Sequence, residues 1–429
     1  MSADKVGYLE LLRTNRSYRR LWLGDIASLL GDWFNTIAQY TLMRQLTGST
    51  LALGLVFVTK MLPFALASPV AGLLTDRWNR RRLMIAADLV RALVVLGFLA
   101  IDGAEDLPLF YALSALQVMI GAFFIPARSA SIPNITSPKE LLTANALSAA
   151  TWSVLLALGA ALGGFATDRL GTDAVFLIDS ASYLVSAFFI WRTVIPQSTD
   201  APSHGPVIRT AWNDIVAGWR HLRDSPRIGR IALTKPAWSL AGAGLVYLLA
   251  LVGEELMPAA PAVGMGVLFA IRGLGTGCGP IAARTLFPDE RRWPALIGSG
   301  IVASGLAYIV LGQLPWTLWI LLPVFLAHTP SGANWVLSTV LLQKRTADRF
   351  RGRIFSTEWL LLTLVDTVTI LAASLLLELE VLSLRGAITA FAGLQILTGI
   401  AWWIWIVPAE RAQAAPSESP LEDAHDPPS

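Results

Sequence analysis

The sequence predicts an all-α membrane protein with twelve transmembrane helices arranged as two pseudo-symmetric six-helix bundles. Three observations lead to this fold class: the composition, a succession of long apolar segments and an internal repeat. Of the 429 residues, 54% are hydrophobic and 15% are charged, whereas about 25% of the residues in ordinary soluble domains are charged. A chain of this length with so few charges has too little polar surface to cover a water-soluble protein. Hydrocarbon must therefore be its main solvent.

Twelve segments are long and apolar enough to cross a bilayer, which takes about 20 residues of helix. Short polar or Pro/Gly turns separate most of them. The segment centres lie near Ile26, Leu62, Val95, Leu116, Leu156, Val185, Gly242, Phe269, Val302, Pro323, Thr363 and Leu397.

The distribution of basic residues predicts the orientation in the membrane. With both chain termini in the cytoplasm, most of the 33 Lys and Arg residues fall in inward-facing loops and tails, as is usual for membrane proteins. The outward-facing loops then carry Arg44, Arg169 and Arg385. This asymmetry also explains the net charge of +3 without a nucleic-acid partner, because no exposed domain gathers the bases on one face.

A hydrophilic connection between segments six and seven divides the chain into two halves. It holds an apolar set at helical spacing with three arginines interleaved, namely Trp212, Ile215, Val216, Trp219 and Leu222 with Arg209, Arg220 and Arg223. This pattern is typical of an amphipathic helix on the inner membrane face; a passive tether is the alternative. The expected organisation is a cytoplasmic N-terminus (1–18), an N-terminal bundle (19–195), a cytoplasmic linker (196–229), a C-terminal bundle (230–408) and a disordered cytoplasmic tail (409–429).

The two halves contain copies of one pattern. The stretch 54–60 reads Gly-Leu-Val-Phe-Val-Thr-Lys, and 266–272, displaced by 212 residues, reads Gly-Val-Leu-Phe-Ala-Ile-Arg. A similar shift of 210 residues places Asp25 over Lys235. Six spans return the chain to the side on which it began, so the halves share one orientation. We therefore expect a substrate cavity between them near the middle of the membrane.

The loop between spans two and three resembles the signature of the major facilitator superfamily, Gly-x-Leu-Ala-Asp-Arg-x-Gly-Arg-Arg. Asn79 replaces the second Gly, and because Asn tolerates a left-handed backbone we expect the turn to be kept. The resemblance implies a cytoplasmic gate that contacts the opposite bundle when the inner side is closed; plain anchoring by inward-facing arginines is the alternative. The motif comprises Gly72, Asp76, Arg77, Arg80 and the pair Asp88 and Arg91, which lie three residues apart on one helix face.

Other stretches resemble one branch of this superfamily, the exporters grouped with enterobactin and macrolide efflux proteins. The resemblance implies a secondary transporter of the drug:proton antiporter type that exports an amphiphilic drug, macrolide or siderophore by alternating access. It also implies a monomeric multi-pass protein of the bacterial inner membrane, whose partners are its substrate, protons and the lipid bilayer. The matching stretches are Gly24-Asp25, Gly31-Asp32-Trp33, Pro126-Ala127-Arg128, Ala144–Leu147 and Arg351–Phe355.

Ionisable residues inside the predicted spans are candidates for coupling, because a charge at the bilayer centre costs about 2.5–3.5 kcal/mol. Asp32 ranks first as the proton carrier, since it lies near the middle of a span that lines the cavity in this fold; a permanent pair with Lys60 is the alternative. Asp25 and Lys235 should lie at equal depth and form a latch between the bundles when the inward gate is shut; the alternative is that each extends to its own interface. The candidate coupling residues are Asp32, Asp25, Lys60, Lys235, Arg272, Asp366 and Glu358.

The remaining ionisable residues of the spans have narrower expected roles. Arg272 and Asp366 either neutralise each other or present one charge to the substrate. Glu358 is expected to cap its helix or to bridge to Arg353, and Asp179 is assigned a structural role. The Asp88–Arg91 pair of the gate motif is expected to be local.

Aromatic residues at cavity depth favour a flat or amphiphilic ligand. Those expected to line the cavity are Trp33, Phe34, Trp238, Phe269 and Trp335. The glycines at 273, 275, 277 and 279 lie in an apolar span and follow no strand, so they indicate close helix packing instead of a dinucleotide site.

Two observations argue against an enzyme. The four histidines are scattered without ligand spacing, and no nucleotide-binding motif is present. We therefore expect no enzymatic activity, no cofactor and no metal site. A metabolite importer or facilitator and a non-transporting membrane receptor are the alternative functions.

Overall fold

The computed structural model describes residues 6–197 and 207–414, which form helices joined by short turns; these residues contain no strand. In chain order the α-helices are α1 Tyr8–Thr14, α2 Arg16–Thr47, α3 Thr50–Arg77, α4 Arg80–Leu96, α5 Leu107–Ile135, α6 Pro138–Trp191, α7 Val207–Asp224, α8 Pro226–Ala232, α9 Thr234–Leu256, α10 Pro261–Leu286, α11 Trp293–Gln313, α12 Leu321–Arg345, α13 Asp348–Glu378 and α14 Leu384–Ala414.

Helix α6 contains two membrane spans. It is 54 residues long and is interrupted at Gly171, where φ is 82° and ψ is 167°, a conformation that glycine adopts without the steric cost of a Cβ. The chain reverses there, since α2 runs parallel to the first half of α6 and antiparallel to the second. The contacts that show this are Trp22–Thr151 and Phe34–Gly163 in the first half, against Gly24–Ser186 and Gly31–Ser182 in the second.

The prediction of twelve transmembrane helices is confirmed. Ten helices in the described residues are long and apolar enough to cross a membrane. Dividing α6 at Gly171 adds one span, and α2, which is 32 residues long, adds another. Each predicted segment centre lies inside one of these helices.

The spans form two bundles, α2–α6 and α9–α14. Each bundle has an even number of spans, so both ends of the described chain lie at the same face as the linker helix α7. We call this the linker face and the other the opposite face. Glycines bring α6 and α10 together at backbone distance: a Cβ on Gly164 would lie 2.3 Å from the Ala262 carbonyl oxygen, and a Cβ on Gly266 would lie 2.5 Å from that of Ala160. We call this contact the α6–α10 seam.

The glycine-rich stretch of α10 packs closely against helices on two sides, as expected. A Cβ on Gly273 would lie 3.0 Å from the Ala157 nitrogen of the other bundle, and one on Gly279 would lie 1.9 Å from the Thr329 carbonyl oxygen of α12. Small residues permit such backbone contact between membrane helices.

The turn between α3 and α4 differs from the expectation. Asn79 has extended backbone angles, with φ of −65° and ψ of 111°, so the expected left-handed conformation is wrong. Its side chain accepts a hydrogen bond from the Arg82 backbone nitrogen at 3.0 Å. Asn79 therefore caps α4, a position for which Asn is among the most favoured residues.

The linker contains the helix that its pattern predicts. Helix α7 packs on α13, where the Arg353 Nε lies 2.7 Å from the Asp214 Oδ1. Leu222 is buried, while Trp212 and Trp219 are exposed. Residues 198–206 of the predicted linker lie outside the described residues.

The last helix extends further than expected. The disordered tail was predicted to begin at residue 409, but α14 continues to Ala414, so the prediction is wrong for residues 409–414. The buried Glu410 accounts for the difference, because its carboxylate lies 2.8 Å from Arg230 and 2.7 Å from Arg345. Residues 415–429 lie outside the described residues.

Candidate functional site

A cavity of about 530 Å³ lies between the bundles near the middle of the membrane. Helices α2 to α6 form its N-terminal wall, α4 through Arg91, and Val246 of α9 with Phe269 and Arg272 of α10 form its C-terminal wall. Its size falls in the range of about 300–1,000 Å³ that is usual for small-molecule sites.

Aromatic rings from both bundles close the cavity on the side of the opposite face. Tyr40 stacks on Phe57 with ring centroids 4.3 Å apart. Phe57 meets Tyr247 edge-on at 5.6 Å, and Tyr40 lies 6.4 Å from Phe269. We call these four residues the aromatic plug.

Polar contacts join the bundles beyond the aromatic plug. The Arg44 Nε donates to both oxygens of Glu254, at 3.0 and 3.1 Å. The Tyr247 hydroxyl donates to the Thr50 carbonyl oxygen at 2.7 Å. These contacts fasten the ends of α2 and α3 to α9 at the opposite face.

A carboxylate of the C-terminal bundle also caps a helix of the N-terminal bundle. Glu378, the last residue of α13, accepts hydrogen bonds from the Thr50 and Leu51 backbone nitrogens at 2.8 and 3.1 Å. It also accepts from the Ser49 and Thr50 hydroxyls at 2.9 and 2.8 Å. Free N–H groups and a positive dipole end make a helix N-terminus a favourable place for a carboxylate.

The cavity opens towards the linker face. Of its lining residues, Ile125 and Trp152 in the half near the linker face are 50% and 48% exposed. Tyr40 and Phe57 in the other half are each 5% exposed. The structure is thus closed at the opposite face and accessible from the linker face.

Asp32 lies in the cavity wall and is accessible from it, with 37% of its side chain exposed. It accepts a hydrogen bond from the Tyr183 hydroxyl, and its Oδ2 lies 3.9 Å from an Arg91 nitrogen. The alternative pair with Lys60 is not formed, because the Lys60 Nζ donates to the Thr36 Oγ1 at 3.2 Å.

A buried polar cluster lies behind Asp32. The Asp179 Oδ2 accepts from the Asn35 Nδ2 at 2.6 Å, and the Gln117 Nε2 donates to the Tyr183 hydroxyl at 3.0 Å. Sequence reasoning gave Asp179 a structural role and did not consider Tyr183. Their spacing of four residues on one helix was the available signal, since it places both on one face.

The latch between Asp25 and Lys235, expected when the inner side is closed, stays a prediction, because this structure is open at the linker face. Asp25 pairs with Arg128 of its own bundle at 2.6 Å, and Lys235 pairs with Glu358 of its own bundle at 3.0 Å. All four side chains are largely buried, where an opposite charge in contact is needed to offset desolvation. The extension of Asp25 and Lys235 to the interface, the alternative, is not observed either.

One further pairing differs from the expectation, and one of the two alternatives for Arg272 and Asp366 is not formed. Glu358 does not bridge to Arg353, which instead contacts Asp214. Arg272 and Asp366 form no ion pair, because the carboxylate of Asp366 accepts from the Ser239 hydroxyl. Of the two, Arg272 lines the cavity.

Some of the contacts expected of the gate motif are formed by the described side chains. Asp88 and Arg91 form the expected buried pair, and Arg91 also reaches Asp32 and so connects the motif to the cavity. The Arg80 guanidinium donates to the Ala130 carbonyl oxygen of its own bundle at 2.8 Å. The side chain of Asp76 lies outside the described part of the chain, and the contact with the opposite bundle stays a prediction.

Two of the five predicted aromatic residues, Trp33 and Phe269, line the cavity. The other three do not. Phe34 packs on Gly163, Trp238 lies 6.5 Å from the His328 ring, and the Trp335 ring lies 4.7 Å from the Lys235 Nζ. Helical rotation, which the sequence pattern does not fix, turns them away.

The residues that the structure describes hold no group of three or more His, Cys, Asp and Glu side chains arranged for a metal ion. Buried His328 bonds the Tyr308 hydroxyl at 2.8 Å within the C-terminal bundle. The side chains that line the cavity offer charge pairing and hydrogen bonding.

The sequence model of the Major Facilitator Superfamily matches residues 21–357. The chain is 25% identical over 358 residues to the putative bacilysin exporter BacE of Bacillus subtilis (strain 168), a match that covers 81% of this chain and 85% of BacE. It is 25% identical over 353 residues to the enterobactin exporter EntS of Shigella boydii serotype 18, covering 81% of this chain and 82% of EntS. Its 27% identity to the uncharacterized transporter YfiS of Bacillus subtilis (strain 168) spans 51% of YfiS, about half of that protein.

Solved structures share the architecture. The POT family transporter PepTSo superposes with a TM-score of 0.70 at 15% identity, covering 92% of this chain and 99% of PepTSo. A mutant form of the nucleoside transporter NupG gives 0.71 at 10% identity, covering 90% of this chain and 99% of NupG. At these identities the similarity shows the fold alone.

Proposed function

Because the chain belongs to the Major Facilitator Superfamily, we propose that it is a secondary active transporter that exports an amphiphilic small molecule by alternating access, coupled to protons at Asp32. The observation that carries the proposal is the cavity between the bundles, which is closed at the opposite face and contains one carboxylate accessible from the linker face. The exporter names of BacE and EntS support the direction of transport.

The linker face is proposed to be the cytoplasmic face of the bacterial inner membrane, with both termini in the cytoplasm. The excess of Lys and Arg in the loops and tails of this face supports the orientation. Bundles at 19–195 and 230–408, joined by a linker at 196–229, are the proposed functional units, and the protein is proposed to act as a monomer.

Proton coupling at Asp32 has a physical basis in its surroundings. The charged carboxylate is stabilised by the Tyr183 hydroxyl, by Arg91 and by the water of the open cavity. When the bundles close around substrate that water leaves, and the charge becomes more costly. Asp32 therefore exchanges its proton with the side to which the cavity is open.

Flux in proteoliposomes under an imposed pH gradient tests the proposal. Radiolabelled erythromycin and radiolabelled naphthalenesulfonate serve as the amphiphilic probes, and internal pyranine reports proton movement. The native protein should move at least one probe with an opposite movement of protons, and Asp32→Asn should abolish the coupling. Asp102→Asn, which changes an exposed aspartate in a loop at the opposite face, is the matched control.

Other outcomes identify the alternatives. Flux that ignores the pH gradient in the native protein would indicate a facilitator, and uptake with protons moving in the same direction would indicate an importer. Saturable binding without any flux would indicate a receptor. Native coupling in Asp32→Asn would remove Asp32 from the mechanism.

A further inference from the structure

The charges that line the cavity do not balance. Four basic and two acidic side chains face it, namely Lys60, Arg91, Arg128, Arg272, Asp25 and Asp32. Asp25 neutralises Arg128 at 2.6 Å, and Arg91 is held by Asp88 from behind and by Asp32 at 3.9 Å. Lys60 and Arg272 are the two cations of this set without an ion-pair contact.

In the described chain, no carboxylate oxygen lies within 4.0 Å of Lys60 or Arg272. Asp32 and Asp179 act on Lys60 through space, without contact, and the hydrogen-bond partner of Lys60 is a neutral hydroxyl. The Arg272 guanidinium lies 5.6 Å from the Phe269 ring centroid, and its buried Nε has no hydrogen-bond partner. Cations this deep in a membrane protein are costly unless a negative group visits them.

The two cations belong to opposite walls of one cavity. Lys60 is on α3 and Arg272 on α10, and they end the repeated pattern that begins at Gly54 and Gly266. A group that contacts both therefore contacts both bundles. Such a group is held by contacts that change whenever the bundles move.

We propose that the transported molecule is an amphiphilic anion whose carboxylate, sulfonate or phenolate group binds between Lys60 and Arg272. This substrate class rests on the proposed transport function. Rings on both sides of the charged pair, among them Trp33, Phe64, Phe124 and Phe269, supply an apolar lining for the rest of the molecule. Two fixed cations in a partly dry pocket discriminate against cationic amphiphiles by repulsion.

An anion also agrees with export. The membrane potential is worth about 2.3 kcal/mol per charge per 100 mV, and an inside-negative potential drives an anion outward.

Equilibrium binding to the full-length protein in nanodiscs tests the inference independently of flux. The probes are radiolabelled naphthalenesulfonate and, as a cation of similar size, naphthyltrimethylammonium. The native protein should bind the anion and not the cation. Lys60→Gln and Arg272→Gln should each weaken anion binding about ten- to hundredfold, as expected for loss of one charged contact.

Variants with matched charge separate electrostatics from folding. Lys60→Arg and Arg272→Lys should restore most of the anion affinity, and Asp32→Asn should keep or tighten it, because one carboxylate leaves the cavity. Lys344→Gln removes an exposed lysine that pairs with Glu290 far from the cavity and should change nothing.

Equal binding of the two probes, or native anion affinity in the Lys60→Gln/Arg272→Gln double variant, would overturn the inference. Failure of the transport proposal looks different, since the anion would then bind with this dependence on Lys60 and Arg272 while no probe crosses the membrane.

Discussion

Arg44 and Glu254 lie 210 residues apart, at equivalent positions of the two repeats, and their side chains form a two-hydrogen-bond ion pair across the bundle interface. The repeat thus supplies opposite charges at one depth on the first helix of each bundle. Both side chains are about one-fifth exposed, so solvent screens the pair and its contribution is about 1 kcal/mol.

Breaking this pair should favour opening at the opposite face. Arg44→Gln or Glu254→Gln should shift the conformational equilibrium about fivefold, the equivalent of about 1 kcal/mol. The measurement is the labelling rate, from the opposite face, of a cysteine placed at Met61 in the cavity of a protein in which Cys278 is replaced by Ser. The swapped pair Arg44→Glu with Glu254→Arg should return the rate towards native. An unchanged rate in both single variants would show that this ion pair does not hold the face closed.

Removing the Glu378 carboxylate, which caps α3 from the C-terminal bundle, should also favour opening at the opposite face. Glu378→Gln keeps one carbonyl oxygen as an acceptor but loses the charge at the N-terminus of α3, a loss of about 0.3–1 kcal/mol. The same cysteine-labelling assay should show a roughly two- to fivefold faster rate by that estimate. Glu380→Gln, an exposed glutamate two residues further on, is the control; equal effects of the two would exclude a specific cap.

Removing one partner of the Lys235–Glu358 pair should destabilise the protein strongly, whereas replacing both partners with apolar residues should destabilise it only weakly. Lys235→Met leaves a buried carboxylate without a partner, at a cost of about 3–5 kcal/mol. The double variant Lys235→Met/Glu358→Leu should recover most of the loss, because well-packed apolar residues often replace buried pairs without penalty. Thermal unfolding in detergent, followed by tryptophan fluorescence, measures both. A double variant as unstable as the single would mean that the pair has a specific structural role.

A larger side chain in the α6–α10 seam should prevent α6 and α10 from packing at backbone distance. Gly164→Leu and Gly266→Leu each place a side chain where even a Cβ would lie within 2.5 Å of a carbonyl oxygen, so flux should fall at least about tenfold, as a misplacement of about 1 Å already costs much of an optimised geometry. Gly393→Leu, on α14 with nothing within 4 Å of the added Cβ, should keep native flux. Native activity in the seam variants would show that close approach there is dispensable.

Sequence reasoning predicts depth in the membrane well and helix rotation poorly. The span centres, the repeat and the buried Asp88–Arg91 pair are found in the structure, because each depends on periodicity or on neighbours along one helix. Asp25 and Lys235 do lie on equivalent helices, yet each turns towards its own bundle. The repeat shift of 210 residues predicts which helix carries each residue and at what depth. It does not predict the direction in which the side chain points.

The partners that were missed lie on other helices. Arg128 was part of the Pro-Ala-Arg stretch that carried the resemblance, and its pairing with Asp25 required the positions of α2 and α5 relative to each other. Tyr183 was overlooked because a tyrosine in an apolar span has no charge to mark it. Glu378 and Thr50 are at the ends of predicted spans, where boundaries are least certain.

The aromatic plug has a consequence for the membrane itself. Four packed rings leave no polar path from the charged pocket to the far compartment, and an ion crossing them would have to give up its hydration shell, as at hydrophobic constrictions in channels. A membrane can thus hold many copies of this protein, each with its pocket open at one face, without losing its ion gradients.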